Sequence, residues 1–93
     1  MSFTVRVELH DATEEDYEQL HAAMEQQGFS RLIESDDGIV YHLSTAEYNY
    51  HGEEPSGDVL GGARRAASTT GLSFAVLVTE SKGRTWHGLN KAA

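Results

Sequence analysis

The stretch Phe3-Thr4-Val5-Arg6-Val7-Glu8-Leu9-His10, followed by Asp11-Ala12-Thr13-Glu14-Glu15-Asp16, decides how this chain is read. Phe3, Val5, Val7 and Leu9 alternate with Thr4, Arg6, Glu8 and His10, and only an extended strand turns that period of two into one apolar and one wet face. Asp11-Ala12-Thr13 opens a helix. Thr13 is its N-cap, and Glu14, Glu15 and Asp16 set negative charge on the first turn, where the helix dipole favours it. Tyr17, Leu20 and Met24, with Ala23 beside them, recur at the spacing of a buried helical stripe. Gly28 stops the helix.

Outward from there, Phe29 to Ile33 reads as a second strand and Ile39 to Leu43 as a third. Ser35-Asp36-Asp37-Gly38 joins them, because Asp and Gly tolerate the left-handed backbone of a tight hairpin turn. Between Thr45 and Gly57, Ala46, Tyr48 and Tyr50 alternate, but residues 51–57 read as a loop. A second helix from about Asp58 to Thr70 buries Val59, Leu60, Ala63, Ala66 and Ala67 and stops at Gly71. Gly61 and Gly62 weaken it by about 1 kcal/mol each relative to Ala, and small residues there let the helix approach a sheet closely. Leu72 to Thr79 is apolar on both parities and therefore predicts an interior strand. Ser81-Lys82-Gly83-Arg84 turns it into a short last strand around Thr85 to Leu89, expected to pair with the fourth. The order predicts an α+β, ferredoxin-like βαββαβ sandwich. Its antiparallel sheet carries two helices on one face, with an extra C-terminal β-strand.

Ninety-three residues can close one hydrophobic core, so residues 1–93 read as a single domain. Apolar residues at 39% and charged residues at 24% suit a folded chain rather than a disordered one. No apolar run approaches the ~18 residues a membrane span needs. Arg6 and Glu8 interrupt the N-terminus before any leader-like block forms. The absence of Cys excludes disulfides, thiolate nucleophiles and Cys-based zinc sites. These features predict a cytoplasmic protein, monomer or homodimer, that does not enter membranes.

Charge is unevenly placed. Residues 1–58 carry 14 acidic residues against Arg6 and Arg31, a balance of −12, within a net charge of −8. Residues 59–93 carry Glu80 against Arg64, Arg65, Lys82, Arg84 and Lys91, a balance of +4. Phosphate binding needs clustered cations, so any nucleic-acid contact falls to that last third or to Arg31. Arg64 and Arg65, with Lys82 and Arg84, form the candidate patch; two arginines late in a helix also simply complement its dipole.

Thr4, Arg6, Glu8 and His10 on the wet face lack the aromatics with which many such domains stack RNA bases. Tyr41, Tyr48 and Tyr50 remain as candidates, or as packing residues. His10-Asp11 lies where the first strand hands over to the helix. Asp11 there can hold a hydrated Mg²⁺ ion, orient an imidazole for proton transfer, or merely begin a turn. His21, on the border of the core stripe, is an acid/base candidate or an amphipathic packing residue. His42, His51 and His87 show no zinc spacing. The chain has no phosphate-cradling glycine loop and no nucleophile elbow.

At FTVRVELHDAT (Phe3 to Thr13), AEYNY (Ala46 to Tyr50) and LVTESKGRTWHGL (Leu77 to Leu89), the chain resembles a family of small bacterial, often prophage-borne proteins grouped with the GhoS endoribonuclease antitoxins. To uncharacterised members the resemblance covers nearly the whole chain; with the characterised antitoxin the chain shares an apolar strand ending in an Asp, then a helix with a Met and a Phe spaced like Met24 and Phe29. It implies a ferredoxin-like fold like that of the small CRISPR-adaptation nucleases, and cleavage of a toxin messenger RNA with or without a metal. Asp11 matches the Asp that ends the family's first strand. His21 falls where the family carries a basic helix residue, a departure that bears on the catalytic role.

Two functions follow as expectations. One is an RNA-cleaving or RNA-binding antitoxin using His10 and Asp11, assisted by His21 or Arg31. The other is a non-enzymatic, phage-borne inhibitor of anti-CRISPR type, whose acidic surface imitates nucleic acid and docks on a basic host defence protein.

Overall fold

The computed structural model describes residues 1–92. Strand β1 (Ser2–Leu9) is the spine of the fold. Its alternation is realised as read: Phe3, Val5 and Val7 are fully enclosed, while Arg6 and Glu8 face solvent on the opposite side. Helix α1 (Glu14–Gln26) begins at Thr13 with a capping box: the Thr13 hydroxyl accepts from the Asp16 N–H, and the Asp16 carboxylate accepts from the Thr13 N–H at 2.9 Å. Gly28, with φ at 90°, turns the chain out of the helix in a conformation that other residues resist.

The hairpin of β2 (Leu32–Glu34) and β3 (Val40–His42) follows, closed at Ser35-Asp36-Asp37-Gly38 as its turn chemistry predicts. Next come β4 (Glu47–His51), α2 (Ser56–Ser68) and β5 (Phe74–Ser81). The main sheet is antiparallel in the order β4-β1-β5, with Val5 opposite both Tyr48 and Val78. Both helices cover one face: Leu20 and Met24 of α1, with Val59, Ala63, Ala66 and Ala67 of α2, close one core with Phe3, Val5, Val7, Leu9 and Tyr48. Gly62 is buried against Phe29, whose ring lies 3.4 Å from where a Cβ would stand, so a small residue there does permit a close approach.

This is the α+β, ferredoxin-like arrangement, but three strands sit elsewhere than the sequence reading put them. The strand after α1 is reduced beside the main sheet to a bridge between Ser30 and Asn49, and the β2–β3 hairpin projects beyond it. One flank of β1 is β4, built on the Tyr48 and Tyr50 alternation and extended through His51 into the stretch that reads as a loop. The interior strand is β1, whereas β5 lies at the edge of the sheet. Residues 85–89 form no strand. The extra C-terminal pairing lies slightly later and against β3, where His42 N–H donates to the Asn90 carbonyl and Ala92 N–H to Val40. Trp86 packs edge-on to Tyr41, with ring centroids 5.5 Å apart.

Candidate functional site

At the end of β1, His10 and Asp11 are exposed and make no hydrogen bond to each other among the described residues. The His10 ring instead approaches the Glu8 carboxylate, its neighbour two residues back on the wet face, at 3.6 Å. Asp11 takes a positive φ of 55°, so its turn-forming role is realised: it bends the chain from strand to helix in the left-handed region that Asp tolerates better than most residues. No group of three or more His, Asp or Glu side chains that could hold a metal ion occurs among the described residues. Asp11 is therefore not part of such a cluster.

A second group assembles where α1 meets β4. His21 shares a hydrogen bond through Nδ1 with the hydroxyl of Tyr48. Tyr48 is fully enclosed, so its hydroxyl needs a partner, and the half-buried imidazole supplies it. Burial, joined by the Arg31 charge, lowers the His21 pKa below its ordinary 6.5. Burial raises that of Tyr48, an effect Arg31 opposes and Tyr17 reinforces. Arg31 itself is half-buried, and its Nε has no hydrogen-bond partner. Tyr17 links this seam to the strand end: its hydroxyl accepts from the Leu9 N–H at 3.1 Å, and its ring centroid lies 6.4 Å from that of His21.

Of the residues singled out in the sequence, the fold brings Arg31 near enough for its charge to act on His21. His10 and Asp11 lie beyond the Leu9 end of that group, outside its hydrogen bonds. Tyr48 is the member that sequence reasoning missed in this role. The available signal was its place on the same parity as Ala46 and Tyr50, which turns it inward. Its enclosed ring is not free to stack on a base, and Tyr50 is engaged too, between Phe29 and Phe3 with its hydroxyl donating to Glu54 at 2.8 Å.

The four-cation patch is divided. Arg64 and Arg65 are exposed on α2, on the helical side of the sheet. Arg84 lies on the other side, its Nη1 donating to Asn49 Oδ1 at 2.8 Å and to Thr4 Oγ1 at 3.3 Å. Burial there lowers its pKa from the ordinary value. Lys82 and Arg84 line a cleft of about 370 Å³ whose other wall carries Glu34 and Asp36, so the cleft is not a uniform phosphate cradle. No helix among the described residues is long and apolar enough to cross a membrane. No protein-family model matches the chain, and no curated protein matches it.

Proposed function

We propose that this chain acts on RNA as an antitoxin-type protein of a bacterial or prophage locus, binding or cleaving a toxin messenger, with the His21–Arg31 seam as its working group. The observation that carries the reading is the hydrogen bond that holds the half-buried His21 ring against the enclosed Tyr48 hydroxyl, within the field of the Arg31 charge. RNA cleavage by transesterification joins the 2′-oxygen to phosphorus as the bond to the 5′-oxygen breaks. It needs a base for the 2′-hydroxyl proton, positive charge for the phosphate, and a proton for the leaving 5′-oxygen, which water or the imidazolium so formed returns. A lowered pKa leaves His21 neutral at pH 7, the form a base requires. When Nδ1 carries the ring proton and donates it to the Tyr48 oxygen, Nε2 keeps the free lone pair. Tyr48 is a positioning residue: it fixes the imidazole without touching substrate. Arg31, whose charge acts on the ring, is the cation this reading assigns to the phosphate.

The test is cleavage of a defined, end-labelled single-stranded RNA by purified protein, with circular dichroism on every variant. His21→Gln is expected to lower the rate by roughly 10²–10⁴-fold, the usual size of a general acid–base contribution. A His10→Ala, Asp11→Asn double variant is expected to retain most activity. The opposite ranking would move the chemistry to the strand end.

A second reading has its own observation. Of the 15 acidic side chains, none is ion-paired to Lys or Arg among the described residues; Glu53 meets the N-terminal amine and Glu8 meets His10. Glu14, Glu15, Glu18 and Glu25 stand unneutralised on the outer surface of α1. Such a surface supports a non-enzymatic module docking on a basic host defence protein, with an association rate that falls steeply with salt. Absence of RNA cleavage by the wild type, with salt-sensitive binding to such a protein that nucleic acid displaces, would favour it.

A further inference from the structure

Strand β5 contradicts its own sequence. Phe74, Val76 and Val78 pack on the core, yet Ala75 and Leu77 on the opposite parity are also apolar, and Leu77 is 62% exposed. Sequence of that kind belongs inside a sheet, but the sheet order leaves β5 with a partner on one side only. Edge strands are normally guarded by charges, proline, a bulge or brevity. β5 has eight residues, pairs without a break from Ser2–Ser81 to Leu9–Phe74, and carries no charge from Phe74 to Thr79.

We propose that the free edge of β5 pairs antiparallel with β5 of a second copy, giving a continuous sheet in the order β4-β1-β5-β5-β1-β4 about a two-fold axis at Val76. The register follows from symmetry and charge. In a continuous sheet, opposite residues share a face, so the axis passes through a residue matched with itself. With Val76 at the centre, Phe74 faces Val78 of the other copy and Ala75 faces Leu77, so every apolar residue of the strand is matched. On the core face, the row Val7–Val76 continues into Val76–Val7 of the second copy. On the open face, β1 sets Arg6 beside Leu77 and Glu8 beside Ala75. Each row therefore runs Arg6–Leu77 and then Ala75–Glu8 of the second copy, cation at one end and carboxylate at the other. An axis at Leu77 would instead put Arg6 at both ends of one row. A second copy fits this edge because the strip is uncharged, which lets two acidic chains meet without opposing their carboxylates there. The His21 seam, against β4, stays at the outer ends of the assembly.

Sedimentation equilibrium, from micromolar to hundreds of micromolar protein, is expected to give twice the 10.2 kDa chain mass. An A75K/L77K variant sets lysine opposite lysine across the axis while altering only solvent-facing side chains of the monomer. It is expected to halve that mass with an unchanged circular dichroism spectrum. Because the chain has no native Cys, an A75C/L77C variant should cross-link between copies under mild oxidation faster than either single substitution. Hydrogen exchange of the wild type needs no variant: the outward-pointing alternate amides of residues 74–79 should be protected at high concentration and lose protection on dilution. A monomeric wild type throughout this range, a dimer indifferent to the two lysines, or alternate amides unprotected at high concentration would overturn the proposal. Leu77→Cys alone cross-linking as fast as the double variant would overturn the register.

Discussion

The two groups of candidate residues are built in opposite ways. His10 and Asp11 adjoin in sequence, sit at one strand end, and do not engage each other; His10 turns to Glu8. His21, Arg31 and Tyr48 come from a helix, a connection and a strand, yet one enclosed hydroxyl bonds the imidazole and the Arg31 charge acts on both. Adjacency in a strand sends successive side chains to opposite faces, so neighbours in sequence tend to part. Convergence is made by the layer contact between helix and sheet, where groups are desolvated and their protonation is altered.

Substitutions sharpen that contrast, and the largest effect belongs to the seam. Tyr48→Ala empties a fully enclosed site and is expected to cost about 3–5 kcal/mol in denaturant unfolding, whereas His10→Ala should stay within about 0.5 kcal/mol. Comparable losses at the two positions would erase the distinction. Next in size, His21→Ala leaves the Tyr48 hydroxyl buried without its partner and should cost about 1–3 kcal/mol. In a Tyr48→Phe background the same change should cost clearly less, because the orphaned group is gone; strict additivity would show that the hydrogen bond does not stabilise the fold. At the strand end, Asp11→Ala meets the positive φ of 55° with a side chain that cannot bond its own backbone, for a loss of about 1 kcal/mol. Asp11→Asn should be nearly silent, since Asn tolerates the same region.

The smallest effect is the pH dependence. The folded pKa of His21 lies below its ordinary 6.5, so between those two values the unfolded chain binds a proton that the folded chain refuses. Stability contributed by neutral His21 is therefore present above pH 6.5, falls as pH drops below it, and levels off once the folded ring also protonates. His21→Gln should flatten this part of the profile in chemical-denaturation midpoints. A slope unchanged by that substitution would assign it to another group.

The sequence discloses what local chemistry decides. The Phe3–Leu9 alternation, the Thr13 cap with Asp16, the Tyr17–Leu20–Met24 stripe and the Ser35–Gly38 turn all take their predicted forms, because each is specified by residues within a few positions of one another. What it conceals depends on partners far along the chain. Residues 47–51 read ambiguously because Glu47 and Asn49 occupy the open face, leaving only Tyr48 and Tyr50 to mark a strand. Thr85 to Leu89 looks extended, but Gly88, with φ at 83°, breaks it, and the pairing moves on to Asn90 and Ala92 against β3. His21 and Arg31 were each visible as single residues. Their meeting was not, since it requires Tyr48, from a strand whose alignment β1 dictates.

The place of β1 in the middle of the sheet also governs how the molecule comes into being. It is made well before both of its flanking strands, which follow it at Glu47–His51 and Phe74–Ser81. At about 5–20 residues per second, roughly 70 residues and several seconds separate the end of β1 from the completion of β5. Through that interval an apolar strand emerges from the ribosome without its neighbours, so vectorial folding is barred and the last strand completes the sheet. Nascent chains arrested before β5 should accordingly be protease-sensitive throughout, with resistance arriving in one step once Ser81 clears the exit tunnel.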